Sequence, residues 1–349
     1  MKTRYTEGEA RAVISGFAAA FEQDEFRAEL DRLTRDRWGS PLEVRFQPLK
    51  AHKNRCTFDI AVQTVSGWHG LIGKVHTADR SDVFRTMDAI RQAGFGQEAE
   101  FSIPRPLAYL PSLHVLLEEK VPGPAARDVF LSGSLPEQLA AAERCGQWLT
   151  RFHAAAPRLG TAADLAKELD RFRRWADKIV SFGEPLARKA NALLRRLEAA
   201  APDSAAGGHR PGHGSYMPEH VMLAEGRTAV IDLDECDVAD PARDVAWFIV
   251  SLQRLGLKHL YSLHALDRPA QHFLATYFRA SPGGATAHVP FYCAAECLHR
   301  ARRDLDRRIP PDPQWAEIML DEGLRALLPG TRSITDSGLI TADEKNHQS

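Results

Sequence analysis

Apolar residues recur at helical spacing near the start of the chain and then alternate with polar residues in short runs. Phe17, Phe21 and Phe26 belong to the first pattern, which predicts helix over 10–38. The alternating runs predict strands, and a periodic run between them predicts a helix. The predicted strands are 42–49, 56–65, 71–76, 107–109 and 115–118, with a turn at 66–70 and a helix over 81–93.

Long helices rich in alanine, leucine and arginine replace the strands after Val121-Pro122-Gly123-Pro124. Their predicted ranges are 136–156, 161–180, 184–200, 241–255, 270–280, 289–308 and 313–328. Among them, 221–223 and 228–232 predict a short hairpin with a polar cluster at each end. The predicted organisation is an N-terminal helical segment (1–40), a sheet-containing lobe (41–120), a helical lobe (121–329) and a flexible tail (330–349).

Composition narrows the class of protein. Of the 349 residues, 44% are hydrophobic and the formal net charge is −1. Such a chain has enough apolar residues to form hydrophobic cores, and it has no net positive electrostatic field that would attract nucleic acid or an anionic membrane. The five cysteines are an odd number scattered over a long chain, which is not the pattern of a disulfide framework, and no signal peptide or membrane-length apolar run is visible. We therefore expect a cytoplasmic protein without nucleic-acid or membrane partners; the sequence does not indicate an oligomeric state.

Three polar motifs surround the predicted hairpin. His213 to His220 (HGSYMPEH) precedes its first strand, Ile231 to Asp234 (IDLD) follows its second, and Asp240 to Asp244 (DPARD) comes next. In this order and spacing they resemble the aminoglycoside phosphotransferase and choline kinase-like family, which has a protein-kinase-like fold. The resemblance implies an α+β bilobal fold with a small antiparallel β-sheet N-lobe and a larger, mostly helical C-lobe.

The same resemblance implies a reaction and the residues that serve it. The family transfers phosphate from ATP or GTP to a hydroxyl of a small molecule with Mg²⁺. Lys74, in Gly73-Lys74-Val75, corresponds to the phosphate-pairing lysine, and Asp232 to the metal-binding carboxylate. His213 corresponds to a residue that braces the catalytic loop. The segment formed by Glu119, Lys120 and Val121 corresponds to the hinge that meets the nucleotide base.

Two positions depart from the family pattern. Ser215 stands where the catalytic aspartate is expected, and a serine hydroxyl cannot accept a proton near neutral pH. His220 stands where a metal-binding asparagine is expected, and its imidazole nitrogen is a poor ligand for Mg²⁺ unless Mn²⁺ replaces that ion or a water molecule bridges the two. Asp234 and Glu219 are candidate compensating carboxylates, with an exposed acid as the simpler interpretation of each. Two hypotheses follow: a slow or mechanistically altered phosphotransferase, or a catalytically inactive, pseudokinase-like module that binds a nucleotide or metabolite.

The phosphate-binding end of the first lobe also departs from the family. Residues 50–55 (KAHKNR) join the first two strands without a glycine that would let backbone amides approach phosphates. Basic side chains could replace such a cradle, and a solvated basic turn is an equal alternative. The acidic partner that Lys74 needs is not identified by the sequence; Asp82 and Asp88 on the following helix are the candidates.

Overall fold

The computed structural model describes residues 7–202, 208–280, 285–306, 308 and 310–328. The chain divides into two compact units, one formed by Met1–Pro122 with Ala229–Ile231 and the other by Gly123–Thr228 with Asp232–Ser349. The predicted tail at 330–349 lies outside the described residues. The predicted α+β class is confirmed, since an antiparallel sheet forms in the first unit and helices dominate the second.

The first unit consists of an N-terminal helical segment, a sheet and a further helix. Its elements are α1 (Glu7–Ala18), α2 (Asp24–Arg35), β1 (Glu43–Ala51), β2 (Arg55–Thr64), β3 (Gly67–His76), α3 (Ser81–Ile90), β4 (Phe101–Ser102), β5 (Pro106–Leu110) and β6 (Val115–Glu119). Five of the strands form one antiparallel sheet in the order β1-β2-β3-β6-β5.

Alternation along β2 decides which side of the sheet is buried. Cys56, Phe58 and Ile60 point to one face and are almost fully buried, as the two-residue period of a strand requires. Against this face pack the aromatic side chains Phe21 and Phe26 of the N-terminal segment. The core of the unit therefore lies between the sheet and the N-terminal helices, and residues of the intervening strand positions point to the other face.

The predicted turn at 66–70 is wrong. The turn that joins β2 to β3 is the two-residue segment Val65-Ser66, and β3 already begins at Gly67. Gly70 lies within the strand, where a Cβ would come within 2.7 Å of the Lys120 Cδ. This glycine therefore marks the close approach of a neighbouring side chain, which in a sequence looks the same as a turn signal.

The second unit is mainly helical. Its elements are α4 (Ala126–Ser132), α5 (Leu135–Ala155), α6 (Leu165–Val180), α7 (Leu186–Ala199), β7 (Arg210–Gly212), β8 (Val221–Ala224), β9 (Arg227–Val230, its last two residues in the first unit), β10 (Asp237–Ala239), α8 (Ala242–Leu260), α9 (Asp267–Ala280), α10 (Val289–Asp306) and α11 (Pro313–Ala326). β7 and β10 pair antiparallel, and the turn Glu225-Gly226 joins β8 to β9.

Aromatic side chains fill the centre of the helical unit. The Phe248 ring of α8 stacks on the Phe273 ring of α9, with centroids 4.2 Å apart. The Tyr216 ring stacks on Phe248 and also on Trp148 of α5, which is fully buried. Such rings contribute both buried area and specific packing geometry. Within the described part of the chain, none of the helices combines the length and apolar character that crossing a membrane requires.

Candidate active site

Lys74 is buried in an ion pair on the third strand. Its Nζ lies 3.1 Å from Oε1 of Glu118, and the two side chains are only 5% and 3% exposed. Glu118 is on β6, where it pairs with Ile72 while Lys74 pairs with Leu116, so the two charged side chains are diagonal neighbours on one face. The ion pair with Glu118 therefore fixes the position of the Lys74 ammonium group on this face of the sheet.

The candidates Asp82 and Asp88 are wrong as partners of Lys74. Asp82 pairs with Arg80 at 3.1 Å, and Asp88 pairs with Arg91 at 3.7 Å. Glu118 replaces them because strand register, and not the following helix, brings a carboxylate to the lysine.

The predicted hinge follows Glu118 directly. The backbone N–H of Glu119 donates to the Arg105 carbonyl at 2.9 Å, and the Glu119 carboxylate accepts from the Arg105 N–H at 3.0 Å. Lys120 Nζ lies 2.6 Å from Oδ2 of Asp59, and Val121 is buried. Contact with a nucleotide base would therefore use backbone groups of this segment other than the Glu119 N–H.

In the second unit, one carboxylate holds the loop that carries Ser215. Asp244, 1% exposed near the start of α8, accepts the backbone N–H of His213 at 2.6 Å and that of Gly214 at 2.9 Å. His153 of α5 adds a third contact, with Nε2 at 3.2 Å from Oδ2. Burial alone would raise the pKa of Asp244, but the hydrogen bond and charge of His153 and other nearby positive charges hold it at about 2. The loop is thus fixed through its backbone by a permanent anion.

Local packing explains why this loop takes one conformation. Gly214 has φ of +77°, and a Cβ there would come 2.1 Å from the Glu235 carbonyl oxygen, so no other residue fits. Tyr216 is fully buried between the rings of Trp148 and Phe248, and its hydroxyl donates to the Cys145 carbonyl at 2.8 Å. Ser215, 8% exposed, is held between these two anchors.

His220 connects the loop to Asp232. The His220 ring is buried, with Nδ1 at 3.0 Å from the Ser215 carbonyl oxygen and Nε2 at 3.4 Å from Oδ2 of Asp232. Because a carbonyl oxygen can only accept, Nδ1 carries a proton and Nε2 is the atom that faces the carboxylate. The two residues that the sequence assigned to metal binding therefore do lie side by side.

Asp232 follows β9 with a left-handed backbone, φ +65° and ψ +56°. Its side chain is 20% exposed. Asp234 is buried, so the interpretation of that residue as an exposed acid is wrong, whereas Glu219 is exposed.

Negative charge is concentrated around this segment. Burial raises the pKa of the Cys236 thiol well above its usual range, and nearby aspartates raise it further: Asp244, Asp237, Asp234 and Asp232. A group of carboxylates in one place makes binding of a cation favourable.

Sequence reasoning missed the residues that support the loop. The motif containing Asp244 was noted, but its hydrogen bonds to the loop were not foreseen. The contact of His153, near the end of α5, with Asp244 was also not foreseen; His153 Nδ1 lies 2.8 Å from the Tyr277 hydroxyl, which orients the ring toward Asp244. The signal in the sequence was a histidine near the end of a predicted long helix, and such a signal does not reveal a partner 91 residues away.

Solved structures with the same fold include several kinases. A choline/ethanolamine kinase family protein from Mesorhizobium loti is 14% identical, with a TM-score of 0.57, and the match covers 90% of this chain and 98% of that one. The amicoumacin kinase hAmiN, solved with AMP-PNP, Ca²⁺ and Ami, is 13% identical with a TM-score of 0.57 and covers 92% and 96%. Wild-type aminoglycoside 2'-phosphotransferase-IIIa, solved with GDP, is 12% identical with a TM-score of 0.54 and covers 86% and 99%.

These likenesses confirm the kinase-like fold. No functionally curated protein matches the chain by sequence. The sequence pattern of the phosphotransferase enzyme family matches residues 73–281, which is more than half of the chain and includes Lys74, the 213–220 loop, Asp232 and Asp244. The chain therefore belongs to the phosphotransferase enzyme family.

Proposed function

We propose that the protein transfers the terminal phosphoryl group of ATP or GTP to a hydroxyl group of a small molecule, with a divalent cation. The observation that carries the proposal is the contact between His220 and Asp232, with Nε2 and Oδ2 3.4 Å apart. It joins the loop at the catalytic position to the carboxylate at the metal position, and Asp244 fixes that loop. Neighbours of the same fold bind AMP-PNP with Ca²⁺ in one case and GDP in another, which supports the choice of nucleotide.

The residues present fit a cation that arrives with the nucleotide. Among the described residues, no group of three or more His, Cys, Asp or Glu side chains is arranged to hold a metal by itself. Asp232 and His220, with Asp234 as a further carboxylate, would instead supply part of the ligands and phosphate oxygens the rest, which is the usual mode of Mg²⁺ in kinases. The imidazole nitrogen favours Mn²⁺ over Mg²⁺. When bound, the cation would neutralise charge on the phosphate oxygens.

The protein's own residues contribute positioning and charge. Lys74, held by Glu118, would bind phosphate oxygens of the nucleotide. The acceptor oxygen forms a bond to the γ-phosphorus, the bond from that phosphorus to the β,γ-bridging oxygen breaks, and the nucleoside diphosphate leaves. Ser215 can hydrogen-bond the acceptor hydroxyl but cannot take its proton, which passes to the transferred phosphoryl group or to water. Because such transition states are loose, transfer without a base is slow and still feasible.

The first experiment measures binding separately from turnover. Thermal unfolding with ATP or GTP, each with Mg²⁺, with Mn²⁺ and without metal, reports binding to the folded protein by mass action. We expect a metal-dependent rise in Tm that Asp232→Asn removes and Glu219→Gln, a matched change at an exposed acid of the loop, retains. Absence of any nucleotide-dependent rise under all conditions would refute the proposal.

The second experiment tests the role of position 215. Restoring a carboxylate with Ser215→Asp should raise the rate of nucleoside diphosphate formation by about 10²- to 10⁴-fold, the usual contribution of a general base. A coupled assay with a panel of hydroxyl-bearing acceptors measures it, and Ser215→Asn is the control of similar size without a base.

The alternative is a pseudokinase-like module that binds a nucleotide or metabolite without transfer. The absence of a carboxylate at position 215, in a loop that Asp244 holds by hydrogen bonds, favours it. The wild-type protein would then show metal-dependent stabilisation but no turnover, and Ser215→Asp would not create any.

A further inference from the structure

A row of basic residues crosses the sheet on the face that carries Lys74. In the register of β1, β2 and β3, Lys50 pairs with Thr57 and Thr57 pairs with Lys74. Directly paired residues of antiparallel strands have side chains on the same face, so Lys50 and Lys74 flank Thr57 on one side of the sheet. Arg55 precedes Thr57 by two positions and therefore shares this face.

A β-bulge puts Lys50 in that row. Phe46 pairs with Ile60 and Pro48 with Phe58, but the register then shifts, and the next pair is Lys50 with Thr57. Leu49 is the extra residue. If the register did not shift, Leu49 would pair with Thr57, and Lys50 would pair with Cys56 and point into the apolar core. Bulges of this kind re-aim side chains beside functional sites.

The residue after the bulge shows that the shift is accommodated by packing. Ala51 pairs with Cys56, and both are buried in the core of the unit, at 8% and 0% exposure. The small side chain of Ala51 fits the place where a lysine would otherwise be buried. The bulge therefore serves two requirements at once, a closed core and a lysine on the opposite face.

Acidic and basic residues of this face lie toward opposite ends of the strands. The carboxylates Asp59 and Glu118 lie toward one end and are paired with Lys120 and Lys74. Toward the β1–β2 turn, the face carries Lys50 and Arg55. This end is basic, and it has no glycine-rich segment to bind an anion through backbone amides.

The turn beside the basic row is anchored to the end of β3. The backbone N–H of Thr77 donates to the Asn54 carbonyl at 3.0 Å, and the His52 N–H donates to the Arg55 carbonyl at 2.7 Å. Adjacent strands are about 4.8 Å apart, which places the Cα atoms of Lys50 and Lys74 about 10 Å from each other. Two long side chains at this separation can reach the same chain of phosphates.

We propose that Lys50 and Arg55 bind phosphate oxygens of the nucleotide that Lys74 holds, in place of a glycine-rich loop. This inference rests on the proposed function, because it specifies how the same nucleotide is bound. Basic side chains can reach phosphate oxygens without the close backbone approach that a glycine-rich loop requires, and Arg55 can bind two oxygens of one phosphate. The alternative of a solvated turn without a ligand predicts no effect of these residues on nucleotide affinity.

The test compares Lys50→Gln, Arg55→Gln and the double variant with Arg45→Gln. Arg45 is on the same strand and face but at the other end, where it pairs with Glu43 and lies over the Trp68 ring. Isothermal titration calorimetry measures Kd for ATP and GTP with Mn²⁺, and for adenosine and guanosine. We expect about a tenfold increase in the triphosphate Kd for the double variant, equal to roughly 1.4 kcal/mol, with unchanged nucleoside binding.

The outcomes separate this inference from the proposed function. If the wild-type protein binds no nucleoside triphosphate, the proposed function fails. If the wild-type protein binds it and the double variant binds it equally well, only the role of Lys50 and Arg55 is refuted. An equal loss for triphosphates and nucleosides, or an equal loss in Arg45→Gln, also refutes it, because neither result reports a phosphate contact at these two residues.

Discussion

Replacement of Asp244 by asparagine should destabilise the helical unit strongly, although the two side chains have the same shape. The carboxylate accepts the backbone N–H groups of His213 and Gly214 and faces His153. In Asp244→Asn, one oxygen becomes an NH₂ donor that meets another donor. Loss of a hydrogen bond to a buried charged group costs about 1.5–3 kcal/mol.

The pKa of Asp244 leads to a similar magnitude. Burial opposes ionisation, but His153 and the other positive charges lower the pKa from the ordinary 3.8 to about 2. By linkage, the interactions of the carboxylate stabilise the folded state by about 2 kcal/mol at neutral pH. A folded pKa below the unfolded one means that this contribution is complete above the unfolded value and is lost as pH falls through about 2. About half of it should remain at pH 3.

Urea unfolding followed by tryptophan fluorescence measures the effect. The unit that contains Asp244 also contains most of the tryptophans: Trp148, Trp175, Trp247 and Trp315. We expect Asp244→Asn to lower the free energy of unfolding by about 2–3 kcal/mol at pH 7, with the difference from wild type narrowing below pH 5. Asp170→Asn, which removes an exposed ion pair with Arg173, should change it by less than about 1 kcal/mol. A difference below about 0.5 kcal/mol for Asp244→Asn, or one that does not narrow with acid, would refute the reasoning.

Two further variants test the contacts that shape the site. Gly214→Ala should destabilise the protein by more than about 2 kcal/mol, because the new Cβ meets a carbonyl oxygen. Gly226→Ala, also at positive φ but in open space, should cost only about 1 kcal/mol. Urea unfolding compares the two variants, and equal losses of unfolding free energy would contradict the steric argument. Lys74→Met should lower the free energy of unfolding by about 3–5 kcal/mol, because it leaves Glu118 buried without the lysine. Adding Glu118→Gln should recover part of that loss. A double variant no more stable than Lys74→Met in thermal unfolding would show that the pair is not coupled.

Most of the secondary structure could be predicted from local patterns in the sequence. The alternation of β2 and the periodicity of the long helices are short-range signals, and both elements lie close to where they were predicted. The prediction of a turn at 66–70 was wrong because Gly70 makes room for the side chain of Lys120, which is distant in sequence. Local chemistry cannot distinguish a glycine that turns the chain from one that makes room for a neighbour.

The candidate site divides in the same way. The placement of His220 beside Asp232 follows from motifs at the two ends of one hairpin, so the sequence was sufficient to expect it. The partner of Lys74 was not predictable, because Glu118 reaches it through the register of two strands that are far apart in the chain. The bulge at Leu49, which changes the face on which Lys50 lies, was also not predictable, because no local sequence pattern indicates it.

The left-handed backbone of Asp232 sets the requirements of folding against those of the proposed cation binding at one residue. Aspartate tolerates this conformation better than most residues, yet glycine would adopt it without the steric cost of about 1–2 kcal/mol that a side chain incurs. Strained residues of this kind persist where function demands a particular side chain. If Asp232 binds the cation as proposed, selection for thermostability alone would replace it with glycine, while selection for phosphate transfer would retain the carboxylate. The two optima of this position would then be different amino acids.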